Sequence, residues 1–172
     1  DSRQSRGLGD VYKRQGRSVV CVDRKGDGQY GIYVANYGGP TRFYEIENKK
    51  IIDQAENLNL NKVTGGRAVV SGHILTDRAD IFAANERGAN FLLKNIDGKF
   101  KDVAFDYRVD DEIQNGRGTA LSDIFYRGRL DILSGNWLGY HRAYVLENNE
   151  FKGEAKKFIK EIKTACLWKK KS

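Results

Sequence analysis

The 172-residue sequence predicts an all-β chain in which one small antiparallel sheet is copied in tandem, and three observations carry that prediction. Gly16-Arg17-Ser18-Val19-Val20 recurs as Gly66-Arg67-Ala68-Val69-Val70 and as Gly116-Arg117-Gly118-Thr119-Ala120. A second anchor follows each copy: Ile32-Tyr33-Val34-Ala35-Asn36, Ile81-Phe82-Ala83-Ala84-Asn85 and Ile132-Leu133-Ser134-Gly135-Asn136. Between the anchors, short runs of β-branched and aromatic residues are separated by Gly, Asn and Asp, the composition of strands joined by tight turns. A fixed spacing of about 50 residues marks a single supersecondary unit repeated, as in propellers and solenoids.

The elements follow in order. In the first unit strands are predicted over 18–22, 32–36, 42–47 and 51–54. In the second they fall over 68–71, 81–85, 91–95 and 100–103, and in the third over 119–122, 132–136 and 142–147 with a weak fourth around Phe151. Four short strands per unit form the blade of a β-propeller, whose radial packing leaves only short, protected edges. The predicted fold is therefore a partial β-propeller of about three four-stranded blades across residues 16–151. Turn chemistry agrees: Asn95-Ile96-Asp97-Gly98 places glycine where a hairpin needs positive φ. Pro40 sits in a Gly-Gly-Pro turn, where its missing N–H costs little. An α-solenoid of this period would need apolar stripes spaced at 3.6 residues, and a β-sandwich would not explain the repeated anchors.

The two ends fall outside the pattern. Residues 1–15 (DSRQSRGLGDVYKRQ) have no apolar periodicity; Gly-Asp-Val-Tyr-Lys-Arg-Gln resembles translated sequencing-adapter sequence, the other reading being a flexible linker. Residues 152–172 form a basic tail, read as an incomplete next blade or an artefact, with a short amphipathic helix expected over 154–163. The formal net charge is +7, of which residues 1–15 carry +2 and residues 152–172 carry +6, leaving −1 for the repeats. A basic footprint confined to the non-repeating ends argues against nucleic-acid binding. No apolar run approaches the roughly 20 residues of a membrane-spanning helix. Two cysteines, Cys21 and Cys166, define no disulfide framework or zinc spacing, and Cys21 is expected to be a buried small apolar residue.

Several residues are single candidates for chemistry. His141 leads a predicted strand and reads as structural, and Asp110-Asp111-Glu112 reads as a solvated acidic loop. Arg17, Arg67 and Arg117 occupy equivalent positions, which favours a structural role such as pairing with aspartates of the same blade. Tyr37 and Trp137 both follow the anchor asparagine, where they serve inter-blade packing or a rim that binds glycan or protein. No nucleophile elbow, Walker loop or HExxH motif occurs.

The order Gly-Arg, small apolar, Asp, then Asp-Ile and Asn, resembles the FG-GAP (VCBS-type) repeats of integrin-like propellers. Cys21-Val22-Asp23-Arg24-Lys25-Gly26, Ala35-Asn36-Tyr37, Gly116-Arg117-Gly118 and Gly135-Asn136-Trp137 with His141-Arg142 resemble the secreted ASPIC/UnbV group in particular. The likeness covers residues 16 to about 150. It implies a propeller of about seven blades, of which this chain would be a fragment. It also implies a secreted, extracellular protein and a non-enzymatic adhesion module whose partners are extracellular-matrix or cell-surface proteins or glycans. The rival is part of a propeller enzyme, a lyase or dehydrogenase, whose active site lies mainly in missing blades. A third class, an intracellular scaffold, would lack a signal peptide in the intact gene. In this family the loop after the first strand often binds calcium through D-x-[DN]-x-D-G-x-x-D, because Ca²⁺ needs six to eight oxygens and a tight turn can supply them. Here the first loop offers Asp23, Lys25, Asp27 and Gly31, and the third offers Asp123, Phe125, Arg127 and Asp131, while the shortened second keeps Asp77 and Asp80. The implied metal residues are thus Asp23, Asp27, Asp123 and Asp131, in degenerate calcium loops. Lys25 and Arg127 are expected to stand in for the ion by pairing with these carboxylates.

Overall fold

The computed structural model describes residues 15–147 and 150–153, among which there are twelve strands and no helix, and so no helix able to cross a membrane. The first unit comprises β1 (Gln15–Val22), β2 (Gly31–Pro40), β3 (Arg42–Glu47) and β4 (Lys50–Asp53). The second comprises β5 (Val63–Gly72), β6 (Asp80–Asn85), β7 (Phe91–Ile96) and β8 (Lys99–Asp102). The third comprises β9 (Gly116–Ser122), β10 (Asp131–Asn136), β11 (Arg142–Glu147) and β12 (Glu150–Gly153). Each unit is an antiparallel meander. Residues 1–14 of the leader expected over 1–15, the helix expected over 154–163 and Cys166 lie outside the described residues, while Gln15, expected in the leader, is the first residue of β1 and pairs with Tyr37.

The hairpins between third and fourth strands of the first two units obey one rule. Glu47 pairs with Lys50 across Asn48 (φ 50°) and Lys49 (φ 63°), and Ile96 pairs with Lys99 across Asp97 (φ 51°) and Gly98 (φ 81°). Two residues with positive φ make a turn whose twist matches that of the flanking strands.

The first two units do not end as separate sheets. β2 runs on past Asn36 to Pro40 and pairs with the start of β5 (Tyr37 with Gly65, Pro40 with Val63), so eight strands form one hydrogen-bonded sheet beside a second sheet of four. Between the second and third units the same contact shrinks to a single bridge, Glu86 to Asn115.

The core lies between units. One cluster joins Val22, Tyr33, Ala35 and Phe43 of the first unit to Val69, Ile81, Ala83, Leu93 and Phe100 of the second. The next joins Ala68, Phe82, Ala84 and Leu92 of the second unit to Ile132, Tyr144, Leu146 and Phe151 of the third. Successive side chains of a strand point to opposite faces, so β6 sends Ile81 and Ala83 one way and Phe82 and Ala84 the other, and all six of its residues are buried. Ring pairs cross both seams: Phe43 with Phe100 at 6.0 Å and Phe82 with Tyr144 at 6.2 Å between centroids. Two irregular segments cap the seams with Ala55, Leu58 and Leu60 in one and Val103, Ala104 and Val109 in the other.

Alternation along β1 corrects one expectation. Val22 points into the seam, which turns Cys21 to the opposite, open face, where its thiol is exposed and free.

Candidate functional site

The loops after β1, β5 and β9 gather at one end of the units, and each is organised around a carboxylate. Asp23 accepts from the N–H groups of Gly26 (2.7 Å) and Asp27 (3.2 Å) on Oδ1 and from Gly28 (2.8 Å) on Oδ2. Asp123 accepts from Arg127 N–H (2.8 Å) and Gly128 N–H (2.6 Å). Hydrogen bonds to the ionised form favour it, so both carboxyls lie below their ordinary range, Asp23 chiefly through Gly28 and Asp123 chiefly through Arg127. Glycines with φ near 80° and 73° at positions 28 and 128 let the backbone close over the acid. Asp27 turns to the Gln29 N–H at 3.0 Å.

In the third loop Arg127 pairs with one of the two carboxylates expected of it. Arg127 Nη2 donates to Oδ1 of fully buried Asp131 at 2.6 Å, and Ile124 and Leu146 N–H groups complete that carboxylate's shell. The first loop corrects the expected pairing. Lys25 pairs with neither Asp23 nor Asp27; the cation is its neighbour Arg24, which forms a two-point pair with Glu45 of β3 (2.6 and 2.9 Å) and donates to Gly98 O of the second unit. The cause is visible at Gly31, which stands where the other units have Asp80 and Asp131. A Cβ there would lie 2.4 Å from Phe43 Cε1 and 3.2 Å from Glu45 Cγ, so a ring and a glutamate fill the space of the missing aspartate. In the second loop Asp80 is satisfied by the N–H groups of Leu75, Thr76 and Asn95 and by the Thr76 hydroxyl. Among the described residues no three His, Cys, Asp or Glu side chains converge as a metal shell.

At the opposite end the repeated arginines come together. Each is the unpaired residue of a β-bulge: Gly16 faces Asn36 and Ser18 faces Ala35, with the same skip at Arg67 and Arg117. A bulge re-aims a side chain out of the sheet's alternation. Here the guanidinium swings across the junction. Arg67 lies 4.6 Å from the ring centre of Tyr37 in the first unit while pairing with Glu86 of its own. Arg117 pairs with the same Glu86 at 3.1 Å and lies 4.3 Å from the ring of Trp137. Arg17 lies 5.7 Å from the centre of the same Tyr37 ring. The result is a ladder, Arg17–Tyr37–Arg67–Glu86–Arg117–Trp137, that couples all three units. The partners are two aromatics and one buried glutamate, not the aspartates of the same blade that the sequence suggested.

The other anchors have local duties. Asn36, Asn85 and Asn136 each donate Nδ2 to the carbonyl four residues on, at 2.6, 2.6 and 2.7 Å, clamping the turn between second and third strands. His141 Nδ1 accepts the Asn136 N–H at 3.1 Å, as Asn90 Oδ1 accepts the Asn85 N–H, which makes His141 a turn residue. Asp111 is held by a two-point pair with Arg142 (2.8 and 3.0 Å) and by the Tyr144 hydroxyl, rather than lying free in an acidic loop. Next to it Ile113, Trp137, Leu138 and Tyr140 are all exposed, and Leu138 has φ of 57°. Trp137 N–H donates to Asn115 O at 2.8 Å, which ties the two halves of this apolar rim together.

One repeated feature is hard to see in the sequence. Asp53 and Asp102 each accept from their own n+2 amide, Ala55 and Ala104, and from Phe43 and Leu92 N–H, starting the two capping segments. Asp-x-Ala at 53–55 and 102–104 is its signal, hidden among other aspartates. Burial raises the Asp102 carboxyl against these hydrogen bonds.

No family model matches the chain. It is similar to cartilage acidic protein 1 of Xenopus tropicalis, with 45% identity over 159 residues, covering 84% of this chain and 25% of that protein. Human cartilage acidic protein 1 is 44% identical over 156 residues (82% and 23%), and the mouse protein 42% identical over 160 (84% and 24%). The chain spans about a quarter of the length of these relatives.

Proposed function

We propose that this chain is three stacked blades of an FG-GAP-type β-propeller within a secreted, extracellular-matrix protein akin to cartilage acidic protein, acting as a non-enzymatic binding module. The observation that carries this reading is the 42–45% identity to cartilage acidic proteins over more than four-fifths of the chain. The geometry supports it in two ways. Three meanders of one design share cores at their junctions, and the recurring arginines Arg67 and Arg117 reach across those junctions. The exposed rim of Ile113, Trp137, Leu138 and Tyr140 offers the kind of aromatic surface that binds proteins or glycans. The loops after the first strands are degenerate calcium sites: Asp23 and Asp27 keep two ligands, and at Asp123 and Asp131 the Arg127 guanidinium supplies the positive charge.

The test is retention on decellularised cartilage matrix. The fluorescently labelled chain should be retained above an unrelated β-protein, and Trp137→Ala with Leu138→Ser should lower retention at least threefold. Pretreating the matrix with glycosidases or with protease separates glycan from protein partners. Retention no higher than the control would refute the reading.

A further inference from the structure

The arginine ladder holds more positive charge than it cancels. Arg17, Arg67 and Arg117 share one carboxylate, Glu86, so three cations less one anion leave +2. Both oxygens of that carboxylate are taken, Oε2 by Arg67 and Oε1 by Arg117. The next residue, Arg87, is exposed in the same turn with φ of 58° and has no ion pair among the described residues, which raises the excess from +2 to +3. The repeats as a whole carry −1, so this end is a positive region on a slightly acidic body. Such a local excess draws anions from solution.

The donors are not used up. Among the described residues the Arg117 guanidinium makes one hydrogen bond, to Glu86, and its side chain is 32% exposed. A guanidinium has five N–H donors in a planar fork, so an edge is left for a carboxylate or sulfate. Its face lies on Trp137, which fixes the fork, and Trp137 itself is 55% exposed. Arg17 and Arg67 both approach the ring of Tyr37, at 5.7 and 4.6 Å. Cation and aromatic ring thus recur from unit to unit, a repeat that suits a linear polymer with regular anionic groups. The row is bounded at the third unit. Trp137 N–H donates to Asn115 O, and the segment leading to Asn115 carries Asp110 and exposed Glu112, neither of them ion-paired among the described residues.

We infer that the ladder and Arg87 form a binding track for a linear acidic glycan. Carboxylate or sulfate groups of the glycan meet Arg117 and Arg87, and the C–H face of a sugar ring packs on Trp137. The inference rests on the proposed reading of the chain as an extracellular binding module and names the class of glycan it holds.

The probe is a chondroitin sulfate octasaccharide, with a neutral dextran octasaccharide as control. The readout is tryptophan emission in a Trp168→Phe chain, where Trp137 is the one tryptophan left. Chondroitin sulfate should shift that emission, with affinity falling about tenfold between about 0.05 and 0.2 M salt, and dextran should do neither. Arg87→Gln should weaken binding about fivefold, and Arg87→Gln with Arg117→Gln about twentyfold. Arg87→Gln should leave Tm within about 2 °C, so its effect is not one of folding. Glu112→Gln should tighten binding about twofold, by removing the acid at the end of the row. The basic tail is the internal control: Lys169→Gln, Lys170→Gln and Lys171→Gln together should change affinity by less than about twofold. Loss that follows the tail lysines rather than the ladder arginines, or a silent Trp137, would overturn the inference. So would an oligodeoxynucleotide of equal charge that binds as tightly and shifts the same emission, since any polyanion would then serve. No glycan binding beside protease-sensitive retention on cartilage matrix strikes the glycan and leaves the binding-module reading standing. Loss of both brings down that reading as well.

Discussion

Glu86 is the residue on which two junctions meet, and its substitution is the sharpest test of the ladder. Its side chain is 8% exposed and receives Arg67 and Arg117, themselves 14% and 32% exposed. Glu86→Gln keeps the shape and removes the charge, leaving two guanidinium groups without a counter-ion. Removing one partner of a buried pair costs about 3–5 kcal/mol, because the remaining charge stays desolvated. Two features reduce that figure: Arg117 is a third exposed and so partly screened, and both arginines keep an aromatic face, worth about 0.5–1 kcal/mol each. The expected loss is therefore about 2–3 kcal/mol. For a chain of this size 1 kcal/mol corresponds to about 2–4 °C, so Tm should fall by about 4–12 °C. Thermal melts followed by circular dichroism measure it, repeated at about 0.5 M salt, where surface pairs are largely screened and a buried one is not. A drop under 2 °C, or one that vanishes in salt, would show that the carboxylate is not held between the two arginines. In a double-mutant cycle Arg67→Gln and Glu86→Gln should be strongly non-additive.

The same geometry sets other outcomes. Gly116→Ala places a Cβ 2.7 Å from Ala84 Cβ and 3.1 Å from Asn85 O, so it should cost about 1–3 kcal/mol by denaturant melt, whereas Gly118→Ala, with open space around it, should cost under about 1. Phe125→Asp with Arg127→Asp restores four carboxylates at the slots 123, 125, 127 and 131; millimolar calcium should then raise Tm by several degrees and leave the parent within about 2 °C. Asp23 and Asp123 have carboxyls lowered below 3.8, so their contribution is present above that pH and is lost as pH falls through their lower folded values. The amide signals of Gly28 and Gly128 should move with midpoints under 3.8; midpoints at or above it would contradict the hydrogen bonding. Asp102, raised by burial, acts with the opposite sign and opposes folding at neutral pH.

The elements of local periodicity were legible in the sequence. The twelve strands overlap the runs of β-branched and aromatic residues, because a strand's signal sits in its own residues. But β2 runs on through the expected Gly-Gly-Pro turn to Pro40 and β5 begins at Val63 rather than Ala68, since the Pro40–Val63 pairing between units is not written in either run. The non-local reasons for the anchors were not legible. Gly66 is glycine because a Cβ would come within 2.9 Å of Asn36 O in another unit, and nothing near Gly66 in the chain announces that neighbour. Arg24 and Lys25 are adjacent cations in one loop, and the choice between them is made by Glu45, twenty-one residues away on β3. Cys21 escapes for a different reason: Ser18-Val19-Val20-Cys21-Val22 has no polar alternation, so the run does not say which face is the junction.

The ladder also accounts for a mixture that looks arbitrary in the sequence. The residue after the anchor asparagine is Tyr37, Glu86 and Trp137 in the three units, while the arginine is the same in all. A guanidinium has a flat face that stacks on an aromatic ring and an edge of N–H donors that meets a carboxylate. It can therefore take either partner, or one of each, as Arg67 does with Tyr37 and Glu86. A lysine at the bulge would offer a point charge with no face to stack, and its pairing would depend on each neighbour being acidic. The repeated arginine makes the junction tolerant of either kind of side chain beside the asparagine. Arg67→Lys should accordingly weaken the chain more than Tyr37→Phe, since only the first substitution removes both modes of contact at once.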